Sequence, residues 1–318
     1  MALLSANQDR MSNLQKGILF GLAAVGTSAV VNSYMSSKAE NDNPPIGKFV
    51  EVDGVRLHYV EIGKGDPVVF LHGNGSMIQD FASSGLLDLA AKSHRVIAFD
   101  RPGCGRSELT HDRAWTPAAQ AKLLRAAFNR LSIEKPTVVG HSWGTLVALR
   151  LAVDFRNDIS RLVLLSGYYF PTVRADTWLS TPGSLPLLGP IIQHTIGPII
   201  ARMSSKSAFE QMFDPLPISP QFVATYPTEL AVRPSQLQAV ASETAMMPAA
   251  VETIMEHYKF VQVPTQLFAG GSDHVVNTEK QTAQLHSVLP NSTLHVENGV
   301  GHMVHHAIPQ KIAAALAS

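Results

Sequence analysis

Apolar and polar positions change rhythm several times along this chain, and each change marks an element. No residue from Gly17 to Ser37 is charged, and positions 18–31 are dense in Leu, Ala, Val and Gly. After Lys48 the pattern alternates: residues 48–52 and 55–60 place apolar and polar side chains in turn around Asp53-Gly54, which predicts an antiparallel hairpin. Residues 67–71, 95–99 and 137–139 are instead apolar runs, as expected of strands buried on both faces, and 159–165 reads as another buried strand. Thr116-Pro117 pairs a cap residue with a proline at the first helical position, so a helix is expected from there to about Leu131. From about Tyr169 to Val261 prolines recur, short helices are the best reading and no strand stands out. The strand rhythm resumes over 264–269 and 292–296, with helices over about 278–289 and after the loop 297–301.

Strands alternating with helices predict an α/β fold: a doubly wound, mostly parallel sheet with right-handed crossovers. The proline-rich stretch falls after the sixth strand, as an insertion. The expected divisions are an N-terminal apolar segment (1–36), a linker (37–47), a core (48–168 and 263–318) and a helical cap (169–262). Ligands of such sheets sit beyond the carboxyl ends of the strands.

Composition narrows the partners. A chain of 318 residues with 45% hydrophobic content can bury a large core, and 25 basic against 25 acidic residues leave no field to recruit nucleic acid. A single cysteine, Cys104, excludes an internal disulfide framework and any multi-cysteine metal site. The apolar N-terminal run is preceded by Arg10 and Lys16, and about 20 helical residues rise about 30 Å, one hydrocarbon thickness. Membrane association through residues 17–37 is therefore expected, as an anchor with the bulk of the chain outside the cytoplasm. Two other readings stay open. Ser37-Lys38-Ala39 offers a signal-cleavage site, which would give a secreted or periplasmic protein, and the segment also suits a peripheral amphipathic arm. Nothing in the sequence fixes the oligomeric state.

The chemistry concentrates at Gly140-His141-Ser142-Trp143-Gly144. An apolar run enters this G-x-S-x-G stretch and helix-like spacing leaves it, the context in which the central serine sits on a strained strand-to-helix turn as a nucleophile. A serine hydroxyl needs a general base to remove its proton and a third group to hold that base. Among 13 histidines, His302 follows the last strand in a Gly-rich loop and is the expected base. His305 and His306, in the first turns of the final helix, are expected to face solvent or cap it, while His72 and His141 read as turn residues. Asp273, directly beyond a buried strand, is the expected acid. The corresponding place one strand earlier holds Ser166-Gly167-Tyr168, with no carboxylate, and Asp100 reads as a structural ion-pair residue. Donors for a developing oxyanion are expected from the backbone N–H groups of Trp143 and Asn74, with the Asn74 side chain as the weaker option.

Taken together, 71–75 (Leu-His-Gly-Asn-Gly), 100–107 (Asp-Arg-Pro-Gly-Cys-Gly-Arg-Ser), 140–144, Gly271-Ser272-Asp273 and Gly301-His302-Met303 resemble the α/β-hydrolase superfamily, in its lidded serine esterase and lipase branch. The resemblance runs from about Lys48 to the C-terminus. It implies a cap inserted after the sixth strand, a Ser142–His302–Asp273 triad, and no metal or cofactor. Serine at the elbow departs from the epoxide hydrolases and haloalkane dehalogenases of that superfamily, which carry aspartate there.

The cap is sparsely charged and rich in Leu, Ile, Pro, Met and Phe, notably over 185–192 and 196–201 and at Met246-Met247, so it suits a hydrophobic small-molecule ester. Arg233 is the candidate partner for a substrate carboxylate, with a structural ion pair as the plainer alternative. The expected activity is ester hydrolysis through an acyl-enzyme. Alternatives are a C–C bond hydrolase or lactonase using the same triad, and a membrane-anchored binding protein without catalysis.

Overall fold

A computed structural model describes residues 13–172, 182–185 and 188–316; Arg10, Pro186 and Leu187 lie outside the described residues. Among the described residues eight strands form one sheet: β1 (Lys48–Val52), β2 (Val55–Ile62), β3 (Pro67–Leu71), β4 (Arg95–Phe99), β5 (Thr137–His141), β6 (Arg161–Leu165), β7 (Thr265–Gly270) and β8 (Ser292–Glu297), in the order β1-β2-β4-β3-β5-β6-β7-β8. β1, β2 and β4 pair antiparallel and all later pairs are parallel. The hairpin closes at Val52 opposite Val55, with Asp53 and Gly54 at φ 49° and 75°, the positive pair that a tight two-residue turn requires.

Alternate residues of the central strands feed two cores. Val69, Leu71 and Val138 pack with Leu123, Leu124 and Phe128 of the helix Pro117–Arg130 and with Leu146 and Leu149 of the helix Trp143–Asp154. On the other face Val68, Phe70, Val139 and Val163 meet Phe81, Leu86, Ile312 and Leu316. The predicted cap at Thr116 forms, its hydroxyl accepting from the Ala119 N–H at 3.2 Å. Between β6 and β7 the described residues are helical, with segments Leu188–His194, Gly197–Phe213, Pro220–Thr225, Thr228–Ala231 and Pro234–Glu252 and no strand.

Three local departures from expectation have physical causes. The apolar N-terminal run forms a helix, Asn13–Asp42, that continues through most of the stretch read as a linker. Its second half carries a stripe that packs on the cap: Ser28, Asn32 and Ala39 face it at helical spacing. The segment expected as one helix over 278–289 opens as a π-helical turn, Glu279–Ala283, before the α-helical Gln284–Val288. There the Gln281 side chain leaves the helix to bind the backbone of Tyr169 and Phe170. Finally, Pro309 divides the last helix into Val304–Ala307 and Pro309–Leu316.

Candidate active site

Ser142 sits at the end of β5 with φ 49° and ψ −118°, a conformation that a side chain adopts only under constraint. The constraint is close packing on both sides. A Cβ on Gly140 would lie 2.6 Å from the Gly144 carbonyl oxygen, and one on Gly144 would lie 2.1 Å from that of Leu71. Glycine alone fits at either place, so the strand can turn directly into the helix. The Ser142 N–H donates to the Leu165 carbonyl at 2.9 Å, which ties the turn to the neighbouring strand. Trp143 begins the helix, so its backbone N–H has no partner within that helix.

Asp273 and His302 come together from the loops after β7 and β8. His302 Nδ1 donates to Asp273 Oδ2 at 2.8 Å, with both side chains buried. The other oxygen, Oδ1, accepts from the N–H groups of Val275 and Val276, both at 2.8 Å, which fixes the carboxylate plane. Because the carboxylate accepts, Nδ1 carries the imidazole proton and Nε2 is left as the basic nitrogen. Two glycines allow the loops to meet: a Cβ on Gly270 would lie 2.2 Å from the Gly301 oxygen, and one on Gly301 would lie 2.0 Å from that of Asp214. The His302 N–H donates to Met212 O in the cap at 3.1 Å.

Ser142 and His302 line one cavity of about 170 Å³, together with Gly73 and Asn74 of the turn after β3. Gly73 presses on the elbow, where a Cβ would lie 3.1 Å from Ser142 Cβ. The Asn74 side chain is engaged with the cap, donating to Thr244 Oγ1 at 2.7 Å, so the geometry directs attention to its backbone N–H. His72 supports this turn from below. Its Nε2 accepts from the Arg101 N–H at 3.0 Å, which places the ring proton on Nδ1, and burial pushes its pKa down to about 3. The remaining walls are largely apolar, with Phe209, Met212, Phe222, Met247 and Val276 among them.

Arg233 is not in this cavity. Its guanidinium is buried against the N-terminal helix, where it pairs with Glu40 at 2.5 Å and donates to the carbonyls of Leu230 and Gly105. The substrate-carboxylate role expected for Arg233 is therefore replaced by the ion pair. No lysine or arginine lines the cavity among the described residues.

A carboxylate does line it. Asp80, wholly buried, accepts at Oδ1 from His305 Nε2 at 3.0 Å and His306 Nε2 at 2.9 Å, and at Oδ2 from the Ser76 hydroxyl at 3.0 Å. Burial alone would raise its pKa, but the two imidazoles outweigh burial and hold it well below the usual range. His305 and His306 are thus buried partners of Asp80 rather than solvent-facing or capping groups. His141 completes the array, its ring centroid 4.4 Å from that of His305 and 5.0 Å from that of His302. Burial and the adjacent imidazoles keep His141 neutral, and burial lowers His305 against the pull of Asp80. Asp80, His305 and His306 offer one oxygen and two nitrogens within 4.8 Å of one another, a spacing a metal ion can bridge. Neither Nδ1 has the acceptor that orients a metal-bound imidazole, and the three groups already satisfy each other.

Nothing in the sequence pattern singles out Asp80, nor the buried pair between Arg101 and Glu243 that fastens the cap helix Pro234–Glu252 to the core. Asp100, expected to be ion-paired, is held by His58 at 2.7 Å.

Comparison with known proteins agrees with this architecture. Residues 66–307 match the family described as alpha/beta hydrolase fold. A cis-3-alkyl-4-alkyloxetan-2-one decarboxylase of Shewanella oneidensis is 25% identical over 275 residues, covering 80% of this chain and 82% of that protein. A 2-hydroxy-6-oxononadienedioate/2-hydroxy-6-oxononatrienedioate hydrolase of Pseudomonas putida is 27% identical over 253 residues, covering 78% and 85%. Among solved structures, an alpha/beta hydrolase fold protein from Burkholderia ambifaria superposes with a TM-score of 0.71 at 21% identity, over 85% of this chain and 97% of that one.

Proposed function

Since the chain belongs to the α/β-hydrolase fold family, we propose that it is a serine hydrolase cleaving carboxylic esters with hydrophobic acyl groups, associated with a membrane through its N-terminal helix. The observation that carries the catalytic part is the 2.8 Å contact of His302 with Asp273, in a loop that lines one cavity with a strained Ser142. Ser142 Oγ attacks the ester carbonyl as His302 Nε2 takes its proton. Asp273 keeps the proton on Nδ1 and stabilises the imidazolium that forms. The amides of Trp143 and Asn74 receive the oxyanion. His302 then returns the proton to the departing alcohol, and the same cycle run with water releases the acid.

Relatives give the second reading its weight, because the Pseudomonas putida protein is named for a dicarboxylate substrate. Hydrolysis of a carboxylated C–C or lactone substrate would use the same three residues. The cavity favours the neutral ester: Asp80 is on its wall and Arg233 is spent on Glu40.

The deciding experiment is turnover of p-nitrophenyl esters of two to about sixteen acyl carbons by the wild type and Ser142→Ala, beside fluorophosphonate labelling. Loss of at least about 10³-fold in the variant is expected. Labelling of Ser142 without ester turnover would move the assignment to the C–C or lactone reading, and no labelling would overturn the catalytic proposal.

A further inference from the structure

The N-terminal helix has two halves that behave differently. From Ser28 onward it is fastened to the cap. Asn32, buried, donates Nδ2 to the carbonyls of Thr195 at 2.6 Å and His194 at 3.1 Å, and its Oδ1 accepts from Arg202 at 3.1 Å. Ser28 also donates to Thr195 O at 2.9 Å. Farther along, Glu40 holds Arg233, and the backbone carbonyls of Glu40 and Asn43 accept from Arg106. Before Ser28 the described side chains from Leu19 to Thr27 are exposed, Phe20 at 78%, on all sides of the helix.

That division limits how deep the helix can reach. The uncharged part that precedes the hydrogen bonds to the cap, residues 17–27, is about 11 residues and rises about 16 Å, roughly half of a 30 Å hydrocarbon core. A crossing of the whole bilayer would have to draw in Asn32 and the Thr195 carbonyl. Next to the helix, the cap exposes Ile191, Ile196, Ile199, Ile200 and Met203, the last at 82%. These residues flank the same His194-Thr195 turn that receives Asn32. Ile199 shares a groove with Phe20, Ala23, Thr27 and Val31, so helix and cap present one continuous apolar face. A face of this kind on a folded chain marks a membrane or partner contact.

We propose that the chain is a one-leaflet membrane protein: residues 17–27 enter a single leaflet and the cap face around Ile199, Ile200 and Met203 lies on the same leaflet, so the chain does not cross. The occupant is lipid, because residues 19–26 are exposed and either apolar or glycine on every side of the helix, whereas a helix in a protein groove needs one apolar stripe. This inference rests on the membrane association proposed above and does not depend on which bond the site cleaves.

The test uses the full chain with a protease-cleavable tag at each end, in inverted and right-side-out vesicles from expressing cells. Both tags are expected to be cut from the same side. Tags cut from opposite sides would overturn the one-leaflet placement while leaving an anchor, and failure to sediment with membranes would overturn both. In a second measurement, purified wild type and the surface variant Ile199→Glu/Ile200→Glu/Met203→Glu are floated with phosphatidylcholine vesicles. A loss of vesicle partitioning of at least about tenfold is expected, as three exposed apolar side chains that would enter lipid are replaced by charges. Unchanged partitioning would overturn cap docking, as would self-association that only the wild type shows in the absence of lipid. An unchanged thermal midpoint confirms that the variant is folded, and none of the three residues lines the cavity.

Discussion

Arg101, buried at the end of the fourth strand, bonds both carboxylate oxygens of Glu243 in the cap helix, and Gln120 binds the same pair. Arg101 also donates to the carbonyls of His72 and Gly73 at 2.9 Å each, so the cap is joined through this guanidinium to the turn that carries Asn74. Glu243→Ala leaves a buried cation without a counterion. A loss of about 3–5 kcal/mol in urea denaturation is expected, together with reduced ester turnover. A variant as stable as the wild type would show that the pair is dispensable.

The Gly73 contact with the elbow predicts a separation of activity from stability. Gly73→Ala places a methyl group 3.1 Å from Ser142 Cβ and His141 Nδ1, which shifts the proposed nucleophile against the proposed oxyanion donors. Displacements below an ångström at a reacting centre cost about tenfold or more. The variant should melt close to the wild type and lose at least that factor in kcat, with KM little changed; an equal loss in thermal stability would mean that the turn itself had collapsed.

Buried neutral imidazoles set the acid limb of stability. His72 titrates near 3 in the folded chain against an ordinary 6.5, and burial lowers His141 and His305 in the same direction. All three bind a proton more readily when unfolded, so their contribution is present above the ordinary imidazole range and is lost as the pH falls below it, for His72 over the window from 6.5 to about 3. Each can remove up to about 1.4 kcal/mol per pH unit within that window. Asp80 and Asp100, both depressed, weaken the fold only at lower pH, within and below the ordinary carboxylate range. Urea midpoints should be flat from pH 7 to 8 and already lower at pH 5.5; a midpoint unchanged at pH 5.5 would contradict the neutral assignment.

Asp80 predicts substrate charge preference. Asp80→Asn removes the anion from the cavity wall and weakens its contacts with His305 and His306. Hydrolysis of an ester bearing a terminal carboxylate should improve relative to its neutral analogue, while stability falls by about 1–3 kcal/mol as buried imidazoles lose a charged partner. Unchanged discrimination between the two esters would remove Asp80 from the selectivity argument.

Cys104 is fully buried, and burial raises its thiol pKa. A thiol reagent should therefore find no reactive group in the native chain and one per chain in urea. Rapid native labelling would show that the turn carrying Cys104 opens.

What the sequence discloses about this site depends on how local the signal is. Ser142 is framed by glycines two residues away on either side, and Asp273 and His302 each stand just past a strand end, so short stretches suffice to nominate all three, and the structure brings the last two into contact. The contacts that surround them were not. Asp80 meets His305 and His306 across 225 and 226 positions, and Arg101 meets Glu243 across 142. Which face of a helix turns inward decides such pairings. Two histidines at the start of a final helix look solvent-facing until the helix Ile78–Ser83 is seen to bring a carboxylate beneath them. For Arg233 the sequence offers both a substrate carboxylate and an ion pair, and it does not name the partner, since Glu40 lies beyond an apolar run that gives no hint of folding back on the cap. The polar exceptions inside apolar stretches, Asn32 and Glu243, are the residues whose burial the structure explains.

The Met212 carbonyl that receives the His302 N–H, and Thr244 that receives the Asn74 side chain, give the cap an architectural share in the site it covers. Exchanging caps among relatives, an obvious route to new specificity, would therefore transplant a wall together with the struts that square the proposed base and oxyanion turn. A graft that carried the apolar lining but not the equivalents of Met212, Glu243 and Thr244 would inherit a pocket of the desired shape around a misaligned reaction centre.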